Sequence, residues 1–296
     1  MELPLVVGVD GSEPSLRAVD WATDEAGLRG LPLRLVYASL WERYEGTSLA
    51  QGQDRPSEEV MAEDIVDAAA RRAHRRDAEV KISTDVLPEE PVPALLREAR
   101  NATALVLGAR GRSAIAELLL GSVGLAVSAR AHCPVIVLRG SHDNQAKSGV
   151  QRRIVLGVGE EPQNSAAVRF AFQEADVRKV PLEAVRSWRR PAHGTTDHPP
   201  PAGEAAGLHE KRATDTLDAA LRAAAAEFPS VELHRRTVEG PARKALLDAS
   251  ATADLLVVGA ERRHGHFGLQ LGRVAHAVLH HSACPVAVVP QRVRTP

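Results

Sequence analysis

Gly108 to Ser122 read G-A-R-G-R-S-A-I-A-E-L-L-L-G-S, three glycines and a hydroxyl in a G-2x-G-9x-G-S spacing. Gly108, Gly111 and Gly121 lack a Cβ, so their backbone can approach an anion closely or reach positive φ without penalty. A helix starting at Gly121-Ser122 would add unsatisfied N–H donors and a positive dipole end, which suit a phosphate. Ser122 fits either as the N-cap or as a further hydroxyl donor. Arg110 and Arg112 read either as charge-assisted donors to phosphate oxygens or as solvated loop arginines. No Lys follows the glycines, so this is not a Walker A loop, and the spacing is not G-x-G-x-x-G. On these residues alone, a plain tight turn between strand and helix remains the alternative.

Other chemistry is sparse. No paired carboxylates, nucleophile elbow or Ser-His-Asp order stands near the loop, so no residue is assigned as catalytic. Cys133 and Cys284 each precede a Pro and an apolar run, and they read as small buried residues rather than redox centres. His276 and His280 stand i,i+4 with His264 and His266 nearby; without H-E-x-x-H they read as a solvated helix face, not a metal site. The run RRAHRRD at 71–77 reads as a solvated helix end whose cations suit the negative dipole terminus.

The elements that position the loop alternate along the chain. Strands are expected at 5–9, 33–38, 79–86, 104–108 and 135–138. Helices are expected at 14–30 (closing on Gly30), about 58–76, near 92–100, and from Ser122. Strand-helix alternation means parallel βαβ units with right-handed crossovers. The order then repeats. Residues 6–26 match 155–175 at an offset of 149, and 118–139 match 269–290 at an offset of 151. Two equivalent domains, 1–140 and 152–291, are therefore expected, joined by a polar, glycine-flanked linker. The Pro/Gly-rich stretch 189–203 reads as a mobile excursion after the second copy's strand two.

Composition fits this reading. Thirty-seven Lys+Arg against 38 Asp+Glu give a net charge of −1, so no global field favours nucleic acid or membrane. Only 3% of residues are aromatic, too few for a base-stacking platform. No apolar run approaches a membrane span, and Met-Glu-Leu-Pro lacks the features of a signal peptide. The expectation is a cytoplasmic chain without a disulfide framework.

VGVDGSEPS after strand one, the G-2x-G-9x-G-S loop and the ending HCPVIVLR together resemble the universal stress protein family, in its tandem bacterial form. The resemblance covers essentially the whole chain. It implies a doubly wound, five-stranded parallel sheet per domain, order 3-2-1-4-5, with helices on both faces and ATP bound, with or without Mg2+. In such a sheet the ligand crevice lies where the strand order reverses, between strands one and four. Carried over by motif, Gly8 and Val9 lead to Asp10 on the adenine side, and Ala38 offers backbone groups to the adenine edge. Gly108, Arg110, Gly111, Arg112, Gly121, Ser122 and Val123 form the phosphate side. The second copy departs from the pattern: Asp10, Gly111 and Ser122 become Gly159, Arg262 and Arg273, while Gly259 and Gly272 remain. That site is either lost or takes another anion.

The resemblance therefore implies an ATP-binding regulatory protein of the stress response, with nucleotide held in the N-terminal domain. A nucleotide-free interaction scaffold is the alternative, and slow ATP hydrolysis a weaker one. The apolar strands 135–138 and 286–289 are expected to pair the two copies as a pseudo-twofold dimer within one chain. A homodimer of whole chains through another surface is compatible with this.

Overall fold

The run LVVG at Leu5–Gly8 has no polar face because none is needed: Leu5, Val6 and Val7 are buried on both sides, and the run forms strand β1. The computed structural model describes residues 2–40, 57–109, 120–139, 153–159, 165–189, 202–261 and 271–291. After β1 come α1 (Glu13–Arg29), β2 (Leu33–Ala38), α2 (Ser57–Arg76), β3 (Ile82–Leu87) and α3 (Pro91–Glu98). A 3-10 turn (Ala99–Asn101), β4 (Ala104–Gly108), α4 (Ser122–Arg130) and β5 (Val135–Leu138) complete the first unit. The second unit repeats this order with β6 (Ile154–Gly157), α5 (Ala166–Arg178), β7 (Leu182–Trp188), α6 (Ala202–Glu227) and β8 (Leu233–Glu239). It ends with α7 (Ala242–Ser250), β9 (Leu255–Glu261), α8 (Arg273–His281) and β10 (Val286–Gln291).

Each unit is a doubly wound α/β fold. The first unit's strands run in the order β3-β2-β1-β4-β5, the second's in the order β8-β7-β6-β9-β10, and neighbouring strands within each unit pair in parallel. β1 has β2 on one side and β4 on the other, with Gly8 facing both Val36 and Leu107. The order therefore reverses at β1 and β4, as the family resemblance implies.

Local chemistry sets the element ends. Ser12 caps α1 by accepting from the Ser15 N–H at 3.4 Å, with Pro14 in the first turn where a missing N–H does no harm. Gly30, at φ 67°, ends the helix in the left-handed conformation, and Leu31 N–H returns to Ala26 O at 2.9 Å. β3 begins at Ile82 rather than 79. Asp77 Oδ1 accepts from the Glu79 N–H at 2.9 Å, and this Asx turn occupies residues that alternation alone assigns to the strand. Of the 189–203 excursion, 190–201 lie outside the described residues, and Ala202 already opens α6.

RRAHRRD is more than a solvated helix end. Arg72 makes two bonds to the Asp20 carboxylate at 2.6 and 2.7 Å, and Arg76 clasps Asp24 at 2.5 and 2.8 Å. These forked guanidinium–carboxylate pairs fasten α2 to α1. Glu25 and Glu174, each 1% exposed, pair along their own helices with Arg29 and Arg178.

One glycine is fixed by packing. A Cβ on Gly108 would lie 2.6 Å from Pro14 C and 2.8 Å from Ser15 N, both backbone atoms in the first turn of α1. At Gly8 a Cβ would meet only leucine side chains, Leu107 Cδ2 at 2.6 Å and Leu95 Cδ2 at 3.2 Å. Side chains yield and helix backbone does not. Gly108→Ala is therefore expected to destabilise the chain by about 3 kcal/mol, and Gly8→Ala by about 1 kcal/mol. Urea denaturation of the two variants checks the ranking; equal midpoints would contradict it.

Candidate functional site

The described residues among those singled out in the first unit gather at the carboxyl ends of β1, β2 and β4. Gly8 ends β1, Ala38 ends β2 and Gly108 ends β4, with Val9 and Asp10 continuing beyond β1. Val9 N–H still bonds Val36 O at 2.9 Å, so the chain keeps its strand direction almost to the carboxylate. At Gly11 the φ is 78°, a left-handed turn that favours glycine, and it carries the chain into α1.

Asp10 is held rather than free to rotate. Its Oδ1 accepts from the Ser12 N–H at 3.0 Å and from Ser12 Oγ at 2.6 Å, and its own N–H reaches Ser15 Oγ at 3.4 Å. The residue that caps α1 therefore also aims the carboxylate. The D-G-S-E-P-S string carries this in its Ser-x-x-Ser spacing, a signal the motif comparison passes over.

The loop between β4 and α4 closes on itself: Gly121 N–H donates to Ala109 O at 2.8 Å. The Gly121 amide is thus committed to the loop and is not a free donor. Gly121, at φ −64° and ψ 150°, is the N-cap, and Ser122 is the first helical residue rather than the cap. Among the described residues no side chain caps α4, and the first intrahelical bond runs from Leu125 N–H to Gly121 O at 3.1 Å. The Ser122 and Val123 amides precede that bond and lie at the positive end of the helix dipole. Ser122 is exposed and Asp10, Ala38 and Gly108 are half-buried. Gly108 itself serves the contact with α1, not positive φ. Arg110, Gly111 and Arg112 lie outside the described residues.

The second unit builds the same crevice differently. Gly159 offers no carboxylate; its carbonyl accepts from Arg186 Nη1 on β7, the register position held by Tyr37 in the first unit. Gly272 caps α8 at φ −61° without a side-chain cap, and Arg273 opens that helix. A cation there stands at the positive dipole end, an unfavourable placement without an anion. Gly259 ends close to Gln291, whose Nε2 would lie 2.6 Å from a Cβ there. Arg262, His264 and His266 lie outside the described residues.

His280 departs from the expected solvated face. It is 8% exposed and its ring lies 4.4 Å from that of His276. α8 turns this position inward, next to the buried Leu279. Among the described residues no cluster of three or more His, Cys, Asp or Glu side chains is placed to hold a metal ion, and no helix is long and apolar enough to cross a membrane.

Both cysteines are buried free thiols, 6% and 0% exposed. Burial pushes Cys133 up to about 12 and Cys284 up to about 11, from an ordinary 9.0. Two to three pH units remove thiolate by about a hundredfold to a thousandfold, so alkylation at pH 8 is expected to be slower by that factor than in urea. Raised folded values mean this stability is present below pH 9 and lost as pH climbs towards 11–12. Mass spectrometry after iodoacetamide treatment checks the protection; rapid labelling of either native thiol would contradict it.

Comparisons with known proteins bear on the family and the fold. The family model described as Universal stress protein family matches residues 3–139 and again 151–290. A curated universal stress protein of Mycobacterium tuberculosis is 32% identical over 299 residues, covering 97% of each chain. A solved universal stress protein from Archaeoglobus fulgidus shares the fold at a TM-score of 0.67 and 18% identity, covering 98% of both chains. A further solved chain, a universal stress protein in complex with cAMP, is 32% identical over 46% of this chain and 96% of its own, at a TM-score of 0.36.

Proposed function

The chain belongs to the universal stress protein family, and from that premise we propose that its N-terminal domain, residues 1–140, binds ATP in a regulatory role. The observation that carries this reading is the pairing of an anchored Asp10 with an uncapped α4 N-terminus at one topological switch point. Asp10 Oδ1 is taken by Ser12; the remaining oxygen suits a ribose hydroxyl or an adenine amine. The Ser122 and Val123 amides suit phosphate oxygens, with Arg110 and Arg112 as charge-assisted partners. Gly8, Val9 and Ala38 supply backbone at the adenine side. Mg2+, where present, would be held through the phosphate oxygens. The sequence near the loop carries no paired carboxylates, nucleophile elbow or Ser-His-Asp order, so hydrolysis is expected to be slow at most.

The second domain, residues 152–291, has lost nucleotide binding in this reading. Gly159 for Asp10, Arg262 for Gly111 and Arg273 for Ser122 remove the acid, the close approach and the hydroxyl together. The two domains pair within one chain through β5 and β10, the apolar strands that end each unit's own strand order. Covalent linkage raises the effective concentration of one copy around the other. Cysteines replacing Val137 and Val288 in a chain free of Cys133 and Cys284 are expected to lie within about 10 Å of each other. Failure of such a pair to crosslink in monomeric protein would rule the pairing out.

Calorimetric titration with ATP and AMP, with and without Mg2+, tests the ligand. The expected stoichiometry is one ATP per chain. Asp10→Ala is expected to abolish most binding, since the second copy has no acid to take over. Gly121→Val is expected to weaken ATP binding by more than about tenfold. The backbone at φ −64° and ψ 150° accepts valine without strain, so that loss would report bulk at the phosphate approach. Two ATP per chain, or unchanged affinity in the Gly121→Val variant, would overturn the assignment. Absence of any nucleotide affinity would favour a scaffold role.

A further inference from the structure

Two ion pairs that join separate elements recur at equivalent positions in both units with their signs exchanged. On the strands, Arg34 of β2 meets Asp85 of β3 at 2.7 Å, while Glu183 of β7 meets Arg236 of β8 at 3.2 Å. The ladders fix the equivalence, since Val36 faces Asp85 as Val185 faces Arg236. On the helices, Arg76 of α2, clasped by Asp24, also lies 4.0 Å from Asp20 of α1, whose main partner is Arg72, while Arg169 of α5 lies 2.5 Å from Glu227 of α6. Arg76 and Glu227 each close a helix, six residues ahead of Ile82 and Leu233, which open the next strand. The pairs that lie within one helix behave differently: Glu25–Arg29 and Glu174–Arg178 keep their sign.

That contrast has a physical sense. A pair inside a helix is made whichever copy the helix docks on, so its sign carries no information about partner. A pair between elements does carry that information. We propose that the sign exchange is a specificity device that forces the outer segment of each unit, α2–β3 or α6–β8, to dock on its own copy. β3 and β8 are the outermost strands of their units, each paired only with the strand before it in chain order. Each outer segment could be accepted by the other unit's apolar framework, because the two units share strand order and register. In a mixed assembly Arg34 would face Arg236, Glu183 would face Asp85, Asp20 would face Glu227, and Arg169 would face Arg76. All four encounters oppose like charges, which discriminates against the wrong partner. Glu183, 8% exposed at its side chain, sits between Arg153 at 3.0 Å and Arg236, and Arg34 between Asp85 and Glu98. In the second unit the strand pair is therefore less screened than the helix pair and is the stronger discriminator. Misassembly between similar repeats is a characteristic failure of tandem chains, and this arrangement opposes it.

Two full-length variants test the device. In the first, Arg153→Glu, Glu183→Arg and Arg236→Asp reverse the second unit's strand triad, so that every native pair survives but both units carry the same polarity. In the second, Arg34→Glu, Asp85→Arg and Glu98→Arg are added, which restores opposite polarity. Each chain is refolded by dilution from urea, and recovery of the native species is measured by size exclusion and far-UV circular dichroism. The first variant is expected to recover to about half of the original chain's yield or less, with the remainder misassembled, and the second to recover fully. Undiminished recovery of the first variant overturns the proposal. So does equally poor recovery of both, because the loss would then come from the substitutions themselves rather than from matched polarity.

Discussion

The architecture of the first unit turns on a contact between two stretches of backbone. Gly108, at the end of β4, lies so close to the opening turn of α1 that any side chain atom would collide with Pro14 and Ser15. This proximity draws α1 across the switch point and sets where the helix begins. From it follow the place of Ser12 as cap, the left-handed turn at Gly11, and the anchoring of Asp10 by that same serine. The crevice is thus a by-product of how tightly one helix seats on one strand. A glycine that reads as ligand chemistry in the sequence is first a packing residue.

The second unit shows what such a framework retains when its crevice chemistry changes. Strand order, register, a serine cap on the first helix and a buried glutamate–arginine pair along it are all kept. Besides the exchanged ion pairs, what differs lies at the carboxyl ends of the strands, where Arg186 reaches the Gly159 carbonyl and Arg273 opens α8. Seating of helices on strands and the chemistry of the crevice are separable, because the first depends on apolar burial and the second on a few polar positions.

Much of this was legible from residue order. Five apolar runs separated by helical spacing, repeated at an offset of 149–151, give the parallel α/β fold twice over. Strands β4 and β5 begin and end where the runs do, because strands buried on both faces leave no polar position to blur the edges, and β2 keeps its expected bounds although Arg34 interrupts its run. β3 is different: it lies outermost and is half exposed, and the Asx turn at Asp77 displaces its start. Long-range pairing is the part that spacing cannot carry. Nothing in RRAHRRD says that its arginines find Asp20 and Asp24, and nothing in the i,i+4 histidines says that one of them is buried. At the candidate site, the ends of β1, β2 and β4 were legible from the sequence, but the commitment of the Gly121 amide to Ala109 depends on long-range geometry.

The two thiols, one in each unit at matching positions before β5 and β10, give this chain a built-in pair of reporters. Each is silent while its own half is closed and becomes reactive when that half opens. A timed alkylation pulse followed by peptide mapping would read the opening free energy of the two halves separately, in one unlabelled molecule. A tandem duplication usually hides which copy yields first, because the copies look alike to circular dichroism and fluorescence. Here the sulfur atoms distinguish them.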